Sequence, residues 1–392
     1  MNYYTLPKNN ASIVIQFHIT NDKKLMEPTI SYSIVNYLKN IFYNLSQLED
    51  PVLIDSVIKN VNTYEYIFSK LPDADQSISK VKPESNIFYE LLEIFHICNL
   101  TEVFIQKKEI NALHFTPNSN SSLYCLNVIR EDKNDTHVID NFNIDNILNF
   151  KDTRKFDFCY FEFKGTEYYD IPVYIKNVLG ALYMILKNQN VEGITILKVD
   201  NIYYKPIIDI LYIFCGLYER VHIIKPTVSP IVNGSRYIVC KLFIKTTDKT
   251  EHVKRIEGAL GFLQKPKFSK YYSQRIIDNI IPYYFLNRIE ESNIIIGQQQ
   301  VDSLNQVINI IKNKNREEKI EVIKRNHIHK CIQWCEKYKI PHNKFIEKTN
   351  IFLNSKNLKS EIYAHETVNN DGKEPIIDSQ SMSYQTIDSR HY

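Results

Sequence analysis

The stretch that decides the fold is Ile194–Phe243, ITILKVDNIYYKPIIDILYIFCGLYERVHIIKPTVSPIVNGSRYIVCKLF. ITILKV is a short apolar run rich in β-branched residues, which predicts a buried strand. PIIDILYIFCGL is long and apolar enough for a buried helix. VHIIK and RYIVCKLF return to strand character, and Pro226, Pro230, Asn233 and Gly234 between them supply the turn chemistry. The order is therefore strand, helix, strand, turn, strand. Lys198 closes the first strand, at the carboxyl edge where open α/β sheets collect their ligands.

Upstream, FDFCYFEF (Phe156–Phe163) predicts another buried strand, followed by a helix over Val173–Leu186. ALHFTP (Ala112–Pro117) reads as a strand running into the polar turn NSNSS and a helix, LYCLNVIRE. NIFYELLEIFHICNL places Ile87, Leu91, Ile94 and Ile97 on one helical face. Strands alternating with helices at this spacing imply a mostly parallel sheet covered by helices. Asp132–Asp152, rich in Asn and Asp, reads as a loop or insertion.

Residues 1–75 form an N-terminal α/β region, with strand character in SIVIQFHIT and helices over Ser31–Leu48 and Val52–Tyr66; Pro72 breaks it from the next segment. Residues 76–245 hold the sheet domain. Residues 246–354 are basic and read as helical in YSQRIIDNII, VDSLNQVINIIKN and HIHKCIQWCEKYKI. Residues 355–392 turn to Asn, Ser, Asp and Thr and are expected to be a flexible polar tail.

Composition narrows the function classes. The net charge of the 392 residues is +3, too small to imply nucleic-acid binding by itself, so a basic surface must be a local patch. Nine glycines occur, where average usage would give roughly 27. Phosphate and cofactor loops need glycine for positive φ and close backbone approach, and neither GxGxxG nor GxxxxGK[ST] is present. The seven cysteines lie mostly in apolar segments, as reduced core cysteines of an intracellular protein do. The longest apolar run contains Asp209 and is too short to span a bilayer.

KPTVSPIVNGSRYIVC (Lys225–Cys240) resembles the KPxxSxxxxSExYIVC signature of FtsJ-like ribose 2′-O-methyltransferases, in the style of the FtsJ-domain proteins of large DNA viruses. The resemblance runs back in order through ILK (Ile196–Lys198), FDFCYFE, ALHFTPNSNSSLYCL and SNIFYELLEI, over roughly residues 80–245. HKCIQWCEKYKIPHNKF is similar to the C-terminal helices of those viral proteins. It implies a Rossmann-like, S-adenosylmethionine-dependent methyltransferase fold and a Lys–Asp–Lys–Glu tetrad. A lysine amine with depressed pKa activates the ribose hydroxyl, a poor nucleophile.

Position by position, the first tetrad lysine falls on Glu90 and the aspartate on Glu162. The central lysine is Lys198, and the final glutamate falls on Ser235. The cofactor loop falls on Thr116, Asn118, Ser119, Asn120, Ser121 and Ser122, without a glycine. The family tetrad nets zero, while these four positions net −1. Two carboxylates facing Lys198 hold it protonated, and an ammonium is no base. Lys80 or Lys82 replaces the first lysine if the register slips.

The resemblance thus implies a catalytically degenerate member: an RNA-associated or scaffolding subunit, partnered with a capping or transcription enzyme in host cytoplasm or virion. An active RNA (cap) 2′-O-methyltransferase using S-adenosylmethionine is the alternative. A virion structural or interaction protein without either ligand is a third. No membrane or metal is expected. His327, His329, Cys331 and Cys335 invite a zinc reading, but only Cys331 and Cys335 share a helical face. Tyr168, Tyr169, Tyr203 and Tyr204 read as packing more readily than as base-stacking platforms. The C-terminal lysines read as a solvated helix face, with an RNA or partner surface as the minority reading.

Overall fold

The computed structural model describes residues 2–343, apart from 23–26, 49, 72–73, 106, 118–119, 132, 164–169, 245–248, 269 and 314–315. Pro72, Tyr168, Tyr169, Asn118, Ser119 and the expected tail at 355–392 lie outside the described residues.

In chain order the first elements are β1 (Asn2–Thr5), β2 (Ile15–Thr20), α1 (Tyr32–Ser46), α2 (Pro51–Val61), α3 (Glu65–Phe68), α4 (Ile87–Ile97) and α5 (Leu100–Phe104). The central part holds β3 (Asn111–Phe115), α6 (Ser121–Arg130), β4 (Thr136–Asp140), α7 (Ile144–Leu148), β5 (Phe156–Phe161), α8 (Ile171–Asn188), β6 (Gln189–Val199), α9 (Lys205–Leu217), β7 (Tyr218–Lys225) and β8 (Arg236–Phe243). The C-terminal part holds α10 (Lys249–Leu263), β9 (Tyr272–Ile277), α11 (Tyr283–Lys312) and α12 (Arg316–Lys337).

A seven-stranded sheet has the order β1-β7-β8-β6-β5-β3-β4. β4, β3, β5 and β6 pair in parallel. β8 is antiparallel to both β6 and β7, so β7 runs with the parallel set. β1 is antiparallel to β7 and forms the far edge. A mostly parallel sheet whose last strand inserts antiparallel between its two predecessors is the Rossmann-like fold of S-adenosylmethionine-dependent methyltransferases.

Every residue of β5 is buried, as expected of a strand covered on both faces. One face packs α8 and α9 into a core with Leu182, Ile208, Ile213 and Phe161. The other packs α4, α6 and α12 around Phe88, Phe95, Tyr160 and Trp334. The covering helices start where local chemistry lets them. Asp170 caps α8 by accepting from Val173 N, and Pro172 and Pro206 sit in the first turns of α8 and α9, where no intrahelical donor is lost.

Three stretches depart from the sequence reading. YSQRII is the strand β9, not a helix; it pairs antiparallel with β2 and buries Tyr272, Ile276 and Ile277. Its Ile276 N–H donates to the buried Asp209 carboxylate of α9 at 2.8 Å. The partner strand lies some 250 residues upstream, beyond the reach of local periodicity. The expected loop at Asp132–Asp152 contains β4 and α7, because THVID extends the sheet beside β3. The second N-terminal helix stops at Val61 rather than Tyr66, where Asn62 leaves helical conformation.

α1 and α11 pack closely at Gly297: an added Cβ there would stand 2.5 Å from Ile34 Cγ1. Gly297→Ala is expected to destabilise the fold by about 1–2 kcal/mol in urea titration, the overpacking outweighing alanine's helix preference of about 1 kcal/mol. A more stable variant would contradict this packing.

Candidate functional site

Lys198 is brought to the sheet's carboxyl edge by β6, one register step from the end of the β6–β8 ladder, opposite Tyr237. Its Nζ lies 3.3 Å from Glu162 Oε1 and 3.9 Å from Glu90 Oε2. Glu162 follows directly on β5, and Glu90 belongs to the first turn of α4. Three of the four tetrad positions therefore meet. Burial pulls the Lys198 pKa down, but Glu90 and then Glu162 outweigh it, and the net direction is up.

The carboxylates are fixed in turn. Tyr237 Oη donates to Glu90 Oε2 and Asn86 Nδ2 donates to Glu90 Oε1 at 3.1 Å. Tyr160 Oη donates to Glu162 Oε2 at 3.2 Å. The Tyr237 ring also lies 5.8 Å from Lys198 Nζ. Two carboxylates this near favour the charged form of the lysine.

Ser235 takes a different course. Its hydroxyl donates to Asn233 Oδ1 at 2.7 Å, and its carbonyl accepts from Lys225 Nζ at 2.9 Å. Lys82 Nζ donates to Ser77 Oγ at 2.9 Å, and Lys80 N–H to Pro341 O.

Two neighbours of the cluster escaped the sequence reading. Lys225, at the end of β7, is buried; burial pushes its pKa down to about 7, with Glu90 opposing. Yet Nζ faces the carbonyls of Pro230, Asn233 and Ser235 and Asn233 Oδ1, at 2.9–3.4 Å. A neutral amine can donate only two hydrogens, so this geometry holds the ammonium at neutral pH. Asp200, two residues beyond Lys198, has its pKa raised by burial against the pull of Asn201, Arg236, Lys225 and Lys198. In the sequence Lys225 is legible as the lysine that ends the apolar run VHII and opens KPTVSPIVNGSRYIVC; its burial and its carbonyl partners are not.

The loop from Pro226 to Ser235 is tied on several sides. Glu93 of α4 accepts from Thr227 N–H at 2.9 Å, Thr227 Oγ1 at 2.5 Å, Val228 N–H at 3.3 Å and Trp334 Nε1 of α12 at 3.4 Å. Asn62 Oδ1 accepts from Ile231 N–H at 3.2 Å. From α11, Gln300 Nε2 donates to Val232 O at 3.1 Å.

At the cofactor-loop positions, Thr116 is buried and its N–H donates to Asp140 O. Asn120 N–H, at the start of α6, donates to Glu84 Oε2 at 2.7 Å, and its side-chain amide to Glu84 Oε1 at 3.3 Å. Ser121 Oγ accepts from Ser85 N–H at 2.9 Å, and Ser122 Oγ bonds His114 Nδ1 at 2.9 Å. Among the described residues of this loop, Asn120, Ser121 and Ser122 are thus engaged within the protein, Asn120 with an anion. The described residues do not fit S-adenosylmethionine.

The other candidates separate. Cys331 and Cys335 are buried, with burial raising both thiol pKa values. Burial pushes His327 down to about 4. Among the described residues no group of three or more His, Cys, Asp or Glu stands together as metal ligands. Tyr203 is buried and Tyr204 half-buried, in packing positions. Lys319, Arg325, Lys330 and Lys337 are exposed along α12. No described helix is long and apolar enough to cross a membrane.

The fold class is that of a methyltransferase-like protein. No family model matches the chain, and no curated protein matches it. A crystal structure of a Plasmodium falciparum protein assigned as a ribosomal RNA methyltransferase is similar over 41 % of this chain and 99 % of its own, at 16 % identity and a TM-score of 0.30. So slight a likeness adds nothing to the fold read from strand order.

Acid should find the weak point beside this site. Burial, then His137, pushes His114 down to about 3, whereas the unfolded chain takes its proton near 6.5. The unfolded state binds more protons below that value. The His114 contribution is therefore full above about pH 6.5 and is lost as pH falls from there toward 3. Urea midpoints are expected to fall between pH 7 and pH 5, and less steeply in His114→Gln. Equal slopes in both proteins would contradict this assignment.

Proposed function

We propose that this chain is a catalytically degenerate methyltransferase-fold protein that serves as an RNA-associated or scaffolding subunit beside an active capping or transcription enzyme. The observation that carries the loss of catalysis is the Lys198 ammonium held between Glu90 and Glu162. General-base work on a ribose hydroxyl needs a lysine neutral near working pH, and the net direction here is opposite. The Glu84 carboxylate at the Asn120 amide supports the loss of S-adenosylmethionine. RNA association and the partner rest on the FtsJ-like sequence resemblance, with the exposed lysines and arginine of α12 as a surface suited to phosphates.

Isothermal calorimetry with S-adenosylmethionine is expected to show no binding at about 100 μM ligand, a concentration chosen to lie well above roughly micromolar affinities. Micromolar binding, or methyl transfer that Lys198→Ala abolishes, would overturn the degenerate reading in favour of an active 2′-O-methyltransferase. RNA binding is expected to weaken steeply between about 50 and 200 mM salt. A chain that binds no RNA at low salt would leave the scaffolding role alone.

A further inference from the structure

α1 buries Ile34, Val35, Leu38, Ile41 and Leu45, which join Val301 and Leu304 of α11 in one apolar cluster. The rest of its surface is not the charged face that such a helix ordinarily turns to water. Tyr32, Tyr37, Phe42 and Tyr43 are all exposed, Tyr32 at 53 % and Tyr43 at 65 %. Tyr32, Asn36, Lys39 and Tyr43 follow the four-three-four spacing that keeps one line of side chains against a partner helix. All four lie exposed along the helix. Aromatic side chains left in water add little to folding, and they are the residues that carry interfaces when a partner covers them.

The order of the four residues selects the occupant. When two copies of α1 lie antiparallel about a twofold axis between Tyr37 and Leu38, each Tyr32 faces a Tyr43 and each Asn36 faces a Lys39. Lys39 is the only charged residue of α1. In this pairing it meets an amide oxygen, whereas a parallel pair would set it against a second lysine. RNA would meet this single cation and little else. We propose that the outer face of α1 is an isologous interface, on which a second copy of this chain docks with its own α1 antiparallel. The contact is one helix wide and covers less than the ~1,200 Å² of a standard interface, so the dimer is weak and forms at micromolar concentrations. The pairing calls on neither RNA nor S-adenosylmethionine, so it stands apart from the function proposed above.

Sedimentation equilibrium of the full chain is expected to show monomer and dimer in exchange between about 5 and 200 μM. A monomer throughout would overturn the proposal and leave the aromatic face to a different protein. Tyr32→Lys combined with Tyr43→Lys alters exposed positions only and is expected to weaken the dimer at least about tenfold. An undiminished dimer would place the contact elsewhere and overturn the proposal. The antiparallel register is tested by cross-linking, because all seven native cysteines are buried and an added exposed one is the reactive thiol. Under mild oxidation, a mixture of Tyr32→Cys and Tyr43→Cys chains is expected to give at least about fivefold more disulfide-linked dimer than either variant alone. Equal cross-linking by Tyr32→Cys alone would contradict the antiparallel pairing and likewise overturn the proposal.

Discussion

The structure depends on one topological constraint: β8 must return antiparallel between β6 and β7. That ladder sets Tyr237 opposite Lys198 and Arg236 opposite Val199. It also forces the ten residues between β7 and β8 across the sheet's carboxyl edge, where backbone donors and acceptors have no strand to pair with. Buried backbone groups must find partners elsewhere. Lys225, Glu93, Asn62 and Gln300 supply them, and through them α2, α4, α11 and α12 are anchored to one loop.

The same constraint separates what the fold requires from what catalysis would require. The ladder needs apolar, β-rich residues, and Ile194, Ile196, Leu197, Val199 and Tyr237–Cys240 are buried. Catalysis would need a few polar side chains with particular charges. On the degenerate reading proposed above, Glu90 stands where the resemblance puts a lysine and Ser235 where it puts a glutamate, and Glu90 drives the Lys198 pKa up. Glu93 shows the converse, since a buried carboxylate serving four donors is structural although it sits one helical turn from Glu90.

Legibility in the sequence followed the same division. Ile194–Phe243 was readable because its elements are apolar runs set off by proline, asparagine or glycine; the structure places the end of β6 and all of α9, β7 and β8 within it. β4 and α7 were hidden because five-residue elements in a polar stretch carry little periodicity. β9 was misread because Tyr272–Ile277 is a strand only by virtue of β2. Of the site, Glu90, Glu162 and Lys198 could be placed together by resemblance. Lys225 and Asp200 could not, because their meaning comes from burial and from carbonyls that the loop conformation gathers.

The protonation of Lys198 is the central claim, and it can be observed directly. Selective ¹³C labelling of lysine, with assignment by Lys198→Arg, would follow its ε-carbon from about pH 6 to pH 12. The arrangement of Glu90 and Glu162 predicts a titration above the ordinary 10.5 of a lysine side chain. A midpoint below about 8, the range of catalytic lysines, would contradict it and restore Lys198 as a base.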